Sequence, residues 1–191
     1  MLFIHRKLKQ FYFCKRKKIN YMNILKSLAT LILVVLVSGT AFSQLDKVGE
    51  NGYRMINLQE PQYAETSFQD ILDLYEGKVI YLDFWASWCR PCKNEMPHSA
   101  KLKEKFKDKD VVFVYISSDR NEAAWRNGVS QLGIKADNYL TSAKVYNGYN
   151  GLFNVKYIPR YILIGKDGQV VDANAKRPSN PEIVTDINNL L

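Results

Sequence analysis

Two stretches of the chain are apolar almost throughout, and segments with helical spacing lie between them. Val79–Trp85 and Val111–Ser117 are rich in β-branched and aromatic residues, which predicts two strands buried on both faces of a parallel sheet. Residues 160–164 and 169–173 flank a Gly-Lys-Asp-Gly turn, a pattern that predicts an antiparallel hairpin. Short strands are also expected within 53–58 and at 138–140.

Helical spacing of apolar residues predicts the remaining elements. The predicted helices cover residues 68–75, 91–106, 122–132 and 181–191. Their expected N-terminal caps are Thr66 with Gln69, Asp119 with Glu122, and Asn180 with Pro181, and their expected stops are Gly77 and Gly133. Pro97 should kink the second helix. Residues 142–153 stay ambiguous because Gly148 and Gly151 interrupt the pattern. The order predicts an α/β fold with a mixed central sheet, helices on both faces, and a C-terminal hairpin and helix.

The first 43 residues differ from the rest of the chain. Residues 22–43 begin with Met22, carry Lys26, continue as an apolar run, and end in small residues before Gln44, which is the pattern of an export signal. An uncleaved anchor is the alternative, since the run approaches the ~20 residues that span a bilayer. We interpret residues 1–21 as a basic leader or a wrongly assigned start, and residues 44–191 as a single domain.

Charge is concentrated in that N-terminal part. Residues 1–43 hold eight Lys or Arg and no acidic residue, which leaves 19 basic and 19 acidic residues in 44–191. The balanced body argues against nucleic-acid binding, and a basic partner-binding face is not expected. The charge-rich residues 101–109 are expected to form a solvated helix face.

The body of the chain retains two cysteines, Cys89 and Cys92, placed where a predicted strand gives way to a helix. Unpaired backbone N–H groups and the helix dipole at that position should favour the thiolate form of Cys89. A zinc half-site is the other interpretation of a Cys-X-X-Cys pair, but zinc needs two further ligands and the body contains only His98 in addition. The spacing therefore predicts redox chemistry, with no metal.

The motifs around the cysteines resemble one family. They are Asp-Phe-Trp-Ala-Ser-Trp-Cys-Arg-Pro-Cys at 83–92, followed by Glu95 and Pro97, and Tyr-Ile-Pro-Arg-Tyr-Ile-Leu-Ile at 157–164. In these residues the chain resembles the thioredoxin superfamily, and more closely the exported bacterial thiol-disulfide oxidoreductases of the TlpA and ResA group, within the redoxin class. The resemblance covers about residues 67–191.

The resemblance implies a role for each matching residue. Cys89 would be the exposed nucleophile that attacks a disulfide, and Cys92 the buried thiol that resolves the mixed disulfide. Ile158 and Pro159 match the family's cis-proline position, where the backbone of Ile158 would pair with an extended substrate. Trp88 would cover the thiols, and Trp85 is expected in the core. No cofactor is expected beyond a redox-active disulfide between the two cysteines.

Two carboxylates match proton acceptors of the family. Asp83 occupies the position of an Asp in thioredoxins proper, and Glu95 that of a Glu in the exported group. A buried carboxylate whose pKa is raised can accept a proton from Cys92 during resolution. Because the chain has both carboxylates, the choice of proton acceptor stays open. The alternative is that Asp83 is an ordinary hydrogen-bonded residue of the core and that Glu95 is an ordinary surface residue of the helix.

The implied function is disulfide exchange with exported proteins in the periplasm or another extracytoplasmic compartment. The family tendency favours a reductant, with clients such as apocytochrome c, a membrane electron donor, and membrane contact only through residues 22–43 if these are not removed. A thiol peroxidase with antioxidant activity is the alternative, although Ala86 stands where the peroxiredoxin loop carries Thr. A non-catalytic peptide-binding module is the third interpretation.

Overall fold

The strand Val79–Trp85 lies inside a six-stranded mixed sheet in a computed structural model of the protein. The strands are β1 (Met55–Asn57), β2 (Val79–Trp85), β3 (Val111–Ser117), β4 (Asp137–Leu140), β5 (Arg160–Ile164) and β6 (Val170–Asp172). Their order across the sheet is β1-β4-β3-β2-β5-β6. The first four are parallel, whereas β5 runs antiparallel to β2 and to β6. The carboxyl ends of β2, β3 and β4 therefore lie beside the start of β5, at one edge of the sheet that is formed by strand ends.

Five α-helices in the described residues accompany the sheet. They are α1 (Phe68–Asp73), α2 (Arg90–Lys105), α3 (Glu122–Gln131), α4 (Ala143–Phe153) and α5 (Ile183–Asn188). The ambiguous segment before β5 is helical because Ser142 caps it and Val145, Tyr149 and Phe153 form a buried stripe. The predicted α/β fold with a mixed sheet and a C-terminal hairpin and helix is confirmed.

The structure describes Leu45, residues 47–49 and residues 52–191. The predicted leader and export signal over residues 1–43 lie outside this range. Within it, we find no helix that combines the length and the apolar character needed to cross a bilayer.

Two hydrophobic layers cover the two faces of the sheet. On one face, side chains of α2, α3 and α5 pack with Tyr81 and Trp85, and both cysteines belong to this layer. On the other face, α1 and α4 pack against Leu82 and Phe84. Alternate residues of β2 thus enter opposite layers, and all of its residues are buried. Burial on both faces explains why this strand reads as one continuous apolar run.

Two helices begin at the predicted residues but have other N-terminal caps than expected. Ser67, not Thr66, caps α1, and Asp70 completes the capping box in place of Gln69. Asn121 caps α3, since its side chain accepts a hydrogen bond from the backbone of Ala124.

The last helix begins later than predicted. Helix α5 starts at Ile183, because the Asn180 side chain accepts a hydrogen bond from the Glu182 backbone within a preceding turn. The amide therefore stabilises that turn and does not cap the helix.

Candidate active site

The two cysteines form a disulfide at the N-terminus of α2. Cys89 is the N-cap residue, and its sulfur accepts a hydrogen bond of 3.2 Å from the backbone N–H of Cys92. The two Cα atoms are 5.3 Å apart. The exposed fraction is 4% for Cys89 and 0% for Cys92. Cys89 is therefore less exposed than expected, but it is the one of the two with surface accessible to a partner.

Asp119 holds the turn that leads from β2 to Cys89. Its carboxylate accepts hydrogen bonds from the backbone N–H of Ser87 at 2.8 Å and from the Ser87 hydroxyl at 2.7 Å. The hydroxyl of Ser117 donates a third, also at 2.7 Å. Asp119 is buried and therefore connects the end of β3 to the active-site turn, instead of capping α3 as its position suggested.

Helix α3 contacts the same turn at a glycine. A Cβ atom placed on Gly128 would lie 2.8 Å from the Cβ of Ser87 and 3.4 Å from the ring of Trp85. Carbon atoms do not pack at 2.8 Å, so only the hydrogen of glycine fits between α3 and the turn.

Pro159 lies beside the end of β2. The Ile158–Pro159 peptide bond is cis. Arg160, the first residue of β5, pairs with Phe84, which places the preceding proline near the point where the turn leaves β2. Ile158 packs against the hydrophobic layer that contains both cysteines. The structure thus brings the two predicted motifs together at one edge of the sheet.

Asp83 is a buried carboxylate without a hydrogen-bond partner. Its exposed fraction is 1%, and neither oxygen forms a hydrogen bond within the described part of the chain. Burial raises the pKa of the Asp83 carboxyl well above its usual range, and the negative charge of Glu95 raises it further, whereas Lys103 lowers it. The Tyr161 hydroxyl, on the strand residue paired with Asp83, is buried without a partner as well. Asp83 can therefore hold its proton at a higher pH than an ordinary carboxyl group.

Lys103 was expected on the solvated face of α2, but it is half-buried. Its ammonium group donates a hydrogen bond of 3.0 Å to the carbonyl of Lys135 and lies 5.4 Å from the ring centre of Tyr115. Tyr115 is the residue of β3 that pairs with Asp83. Burial lowers the pKa of Lys103 to about 8, although the charge of Asp83 opposes this shift. Lys103 is the cation that acts electrostatically on the buried Asp83.

Glu95 lies one turn after Cys92 and is buried as well. Its carboxylate accepts hydrogen bonds from the backbone N–H of Ser179 at 3.0 Å and from the Ser179 hydroxyl at 2.9 Å. The guanidinium of Arg177 lies 4.0 Å from the same carboxylate. Glu95 therefore connects α2 to the segment before α5, and it is not the surface residue that the alternative interpretation proposed.

The two tryptophans of the motif have different environments. Trp85 is buried, as predicted, and donates a hydrogen bond to the side-chain oxygen of Asn138. Trp125 of α3 donates to the same oxygen, at 3.1 Å. Trp88, next to Cys89, has an exposed fraction of 66%, so most of its side chain faces solvent.

Sequence reasoning missed Asp119, Lys103 and Ser179. Asp119 was noticed only as a capping residue, and a short Ser-Ser-Asp sequence after a buried strand could have indicated hydrogen bonding to the next turn. Lys103 carries a weaker signal, since it follows Cys92 by three turns of the same helix. Ser179 lies far from the motif along the chain and has no local signal.

No group of three or more His, Cys, Asp or Glu side chains is placed to hold a metal ion in the described ranges. Together, the fold and the site define a thioredoxin-fold protein with a dithiol-disulfide centre.

Comparison with known proteins agrees with this class. A family model described as thioredoxin-like matches residues 77–170. The thiol-disulfide oxidoreductase ResA of Bacillus thuringiensis strain Al Hakam is 31% identical over 147 residues, which cover 74% of this chain and 83% of that protein. ResA of Oceanobacillus iheyensis is 32% identical over 165 residues, covering 82% of each chain.

A solved structure shows the same likeness. The crystal structure of a Bacteroides vulgatus protein described as a thiol-disulfide oxidoreductase matches with a TM-score of 0.57 and 38% identity. The match covers 63% of this chain and 83% of that one. The chain belongs to the ResA-like thiol-disulfide oxidoreductases of the thioredoxin-like family. It is an oxidoreductase.

Proposed function

We propose that this protein reduces disulfides of exported proteins outside the cytoplasm, with Cys89 as the attacking thiolate and Cys92 as the resolving thiol. The observation that carries these roles is the difference in exposure, since Cys89 keeps accessible surface and Cys92 has none. Cys89 also caps α2, where backbone N–H groups stabilise a negative charge. The same atom is therefore both the accessible sulfur and the better nucleophile.

The reaction transfers two electrons from the enzyme dithiol to the client. The Cys89 thiolate attacks one sulfur of a client disulfide, so that a mixed disulfide forms and a client thiolate leaves. Cys92 then loses its proton and attacks the Cys89 sulfur. The Cys89–Cys92 disulfide forms, the second client thiolate leaves, and the client is fully reduced. A dithiol donor, which we propose is a membrane protein, must then reduce the enzyme disulfide.

We assign the proton of Cys92 to Asp83 in preference to Glu95. Asp83 has no competing hydrogen bond, and its raised pKa makes it a stronger base than an ordinary carboxylate. Each oxygen of Glu95 already accepts a hydrogen bond from Ser179. Asp83→Asn should therefore slow the resolution step more than Glu95→Gln does, and the reverse order would contradict the assignment.

Export is supported by the composition of residues 22–43, with Lys26, an apolar run, and the small residues Ala41 and Ser43 before Gln44. The test is the N-terminal sequence of the protein recovered from the cell envelope. A start at Gln44 supports a cleaved signal, and an intact start in a membrane fraction supports the anchor. Recovery from the cytoplasm would contradict export.

Trapping tests the redox roles and the client together. Cys92→Ser should accumulate mixed disulfides through Cys89, and exported cysteine proteins, such as apocytochrome c, should be among the captured partners. Cys89→Ser is the matched control and should capture none. Equal capture by both variants would show that the roles are wrong, and rapid peroxide turnover by the parent would favour a thiol peroxidase.

A further inference from the structure

Exposed basic side chains gather at the edge of the sheet that carries the disulfide. The strands β2 and β3 end at this edge, and the antiparallel strand β5 begins there. Arg90 follows β2, Arg120 follows β3, and Lys156 precedes β5. All three are exposed, and none of them has an ion-pair partner among the residues that the structure describes. Three separate segments thus contribute unpaired positive charge around one disulfide.

Three carboxylates on β2, on α2 and after β3 are withdrawn from solvent. Asp83, Glu95 and Asp119 are all buried. Arg177 stands on the outer side of this group, with its side chain 56% exposed and its guanidinium 4.0 Å from Glu95. A partner that approaches Cys89 would therefore meet cationic groups, while the acidic groups are out of contact.

Other acidic residues at this edge are paired or distant. Glu65 forms an ion pair with Lys144, and Glu122 forms one with Arg126. Glu60 is half-buried, and it follows β1, which is separated from β2 by two intervening strands. The exposed charges on the segments around the disulfide are therefore mainly basic, although residues 44–191 contain equal numbers of basic and acidic residues.

Exposed aromatic rings accompany these charges on both sides of the disulfide. An open groove of about 1030 Å³ is lined by Trp88, Tyr146 and Arg120 among other residues. Trp88 and Tyr146 have exposed fractions of 66% and 41%. On the side of Pro159, Tyr157 is 82% exposed and is adjacent to Lys156 in the chain. In protein–protein interfaces, aromatic and arginine side chains near the centre contribute most of the binding free energy.

We propose that this basic and aromatic surface selects client segments whose reactive cysteine is flanked by Asp or Glu and by an apolar residue. The inference rests on the proposed function, because it specifies the client of the same site. Client carboxylates would pair with Arg90, Arg120 and Lys156, and the apolar residue would lie in the groove against Trp88. This proposal departs from the sequence-based expectation of no basic partner-binding face, since an equal charge count does not show where the charges lie.

Charge complementarity at exposed positions acts mainly on the association rate, and salt weakens it. The test uses three disulfide peptides of equal length whose cysteines are flanked by Glu, Gln or Lys, with one Leu at a fixed position. Reduced full-length protein should reduce the Glu peptide about tenfold faster than the Lys peptide at low ionic strength, with the Gln peptide between them. The difference should shrink at physiological salt.

Matched variants test whether the preference for the Glu peptide arises from this surface. The double variant Arg120→Gln, Lys156→Gln should remove most of the preference for the Glu peptide. The control is Lys78→Gln, Lys109→Gln, which makes the same change of charge in the segments before β2 and β3, at the opposite edge. The control should keep the full preference, and a loss in both variants would contradict a local surface.

The remaining outcomes distinguish a failure of this inference from a failure of the proposed disulfide reduction. Equal rates for all three peptides would overturn the acidic-client inference and leave disulfide reduction intact. Failure to reduce any peptide would overturn both. Salt-sensitive binding to anionic phospholipid vesicles, without discrimination among the peptides, would assign the surface to a membrane and overturn the inference.

Discussion

The carboxylate of Asp119 accepts hydrogen bonds from both the backbone and the hydroxyl of Ser87, two residues before the reactive Cys89. A side chain at the end of β3 therefore fixes the turn that follows β2. Since Ser87 lies so close to Cys89, the position of the sulfur depends on Asp119, which is 30 residues further along the chain.

Replacing Asp119 with Ala should both destabilise the protein and slow disulfide exchange. The change removes three hydrogen bonds to a buried charged group and leaves the N–H of Ser87 without its acceptor, a loss of about 3 kcal/mol in the free energy of unfolding. Urea unfolding and the single-turnover rate of exchange measure the two effects. Ser87→Ala is the matched control and should lose only about 1 kcal/mol. An Asp119→Ala variant with parental stability and rate would contradict the role of the turn.

Asp83→Asn should stabilise the oxidised protein at neutral and higher pH. The pKa of Asp83 is raised in the folded state, so its ionisation opposes folding, and stability is lost as pH rises through the raised pKa. The asparagine variant does not ionise. Its advantage should be on the order of 1–3 kcal/mol above that pKa and should disappear below the usual carboxyl range. Urea unfolding across that pH range measures it, and an advantage independent of pH would show that ionisation is not the cause.

Lys103→Met should raise the pKa of Asp83 further. The positive charge of Lys103 lowers that pKa at present, and this effect itself fades as the ammonium loses its proton near pH 8, the value to which burial lowers its pKa. The acidic limb of the rate profile for mixed-disulfide resolution should therefore move to higher pH. Lys105→Met, an exposed change on the same helix, is the control and should leave the profile in place. Identical profiles for both variants would contradict the coupling.

Asn138→Leu should be one of the more destabilising single changes. The side-chain oxygen of Asn138 accepts hydrogen bonds from the indoles of Trp85 and Trp125, and both rings are buried. Removing the acceptor leaves two buried donors unpaired, at a cost of about 2–5 kcal/mol. Urea unfolding measures this loss, and the exposed change Asn188→Leu should alter stability by less than about 0.5 kcal/mol. A small loss at Asn138 would mean that the indoles find other acceptors.

The sequence predicted most of the central fold because its strands are buried on both faces. Continuous apolar runs mark β2 and β3, and the glycine-bounded turn marks the final hairpin. Helix α4 stayed ambiguous because glycines lower helix propensity, yet close packing favours a small residue at Gly148, since an added Cβ would lie 3.2 Å from the Cβ of Phe68 in α1. Such a requirement comes from packing and is invisible in a local pattern.

The site was predictable as far as its motifs extend. Cys89, Cys92, Asp83 and Glu95 were identified from positions within one segment. The bonds of Asp119 and the burial of Lys103 were not, because both depend on segments that are distant in the chain and meet only after folding. The basic edge likewise required the strand order, since its charges come from separate loops.

The turn before Cys89 packs closely against helix α3 at Gly128. Only a hydrogen atom fits between that residue of α3 and Ser87, so even one added methyl group must push the turn outward or shift the helix. The side chain at position 128, which is 39 residues beyond Cys89 in the chain, can thereby change the position of the Cys89 sulfur. Graded side chains at this position offer a way to alter reactivity without changing any group that carries charge or touches a client.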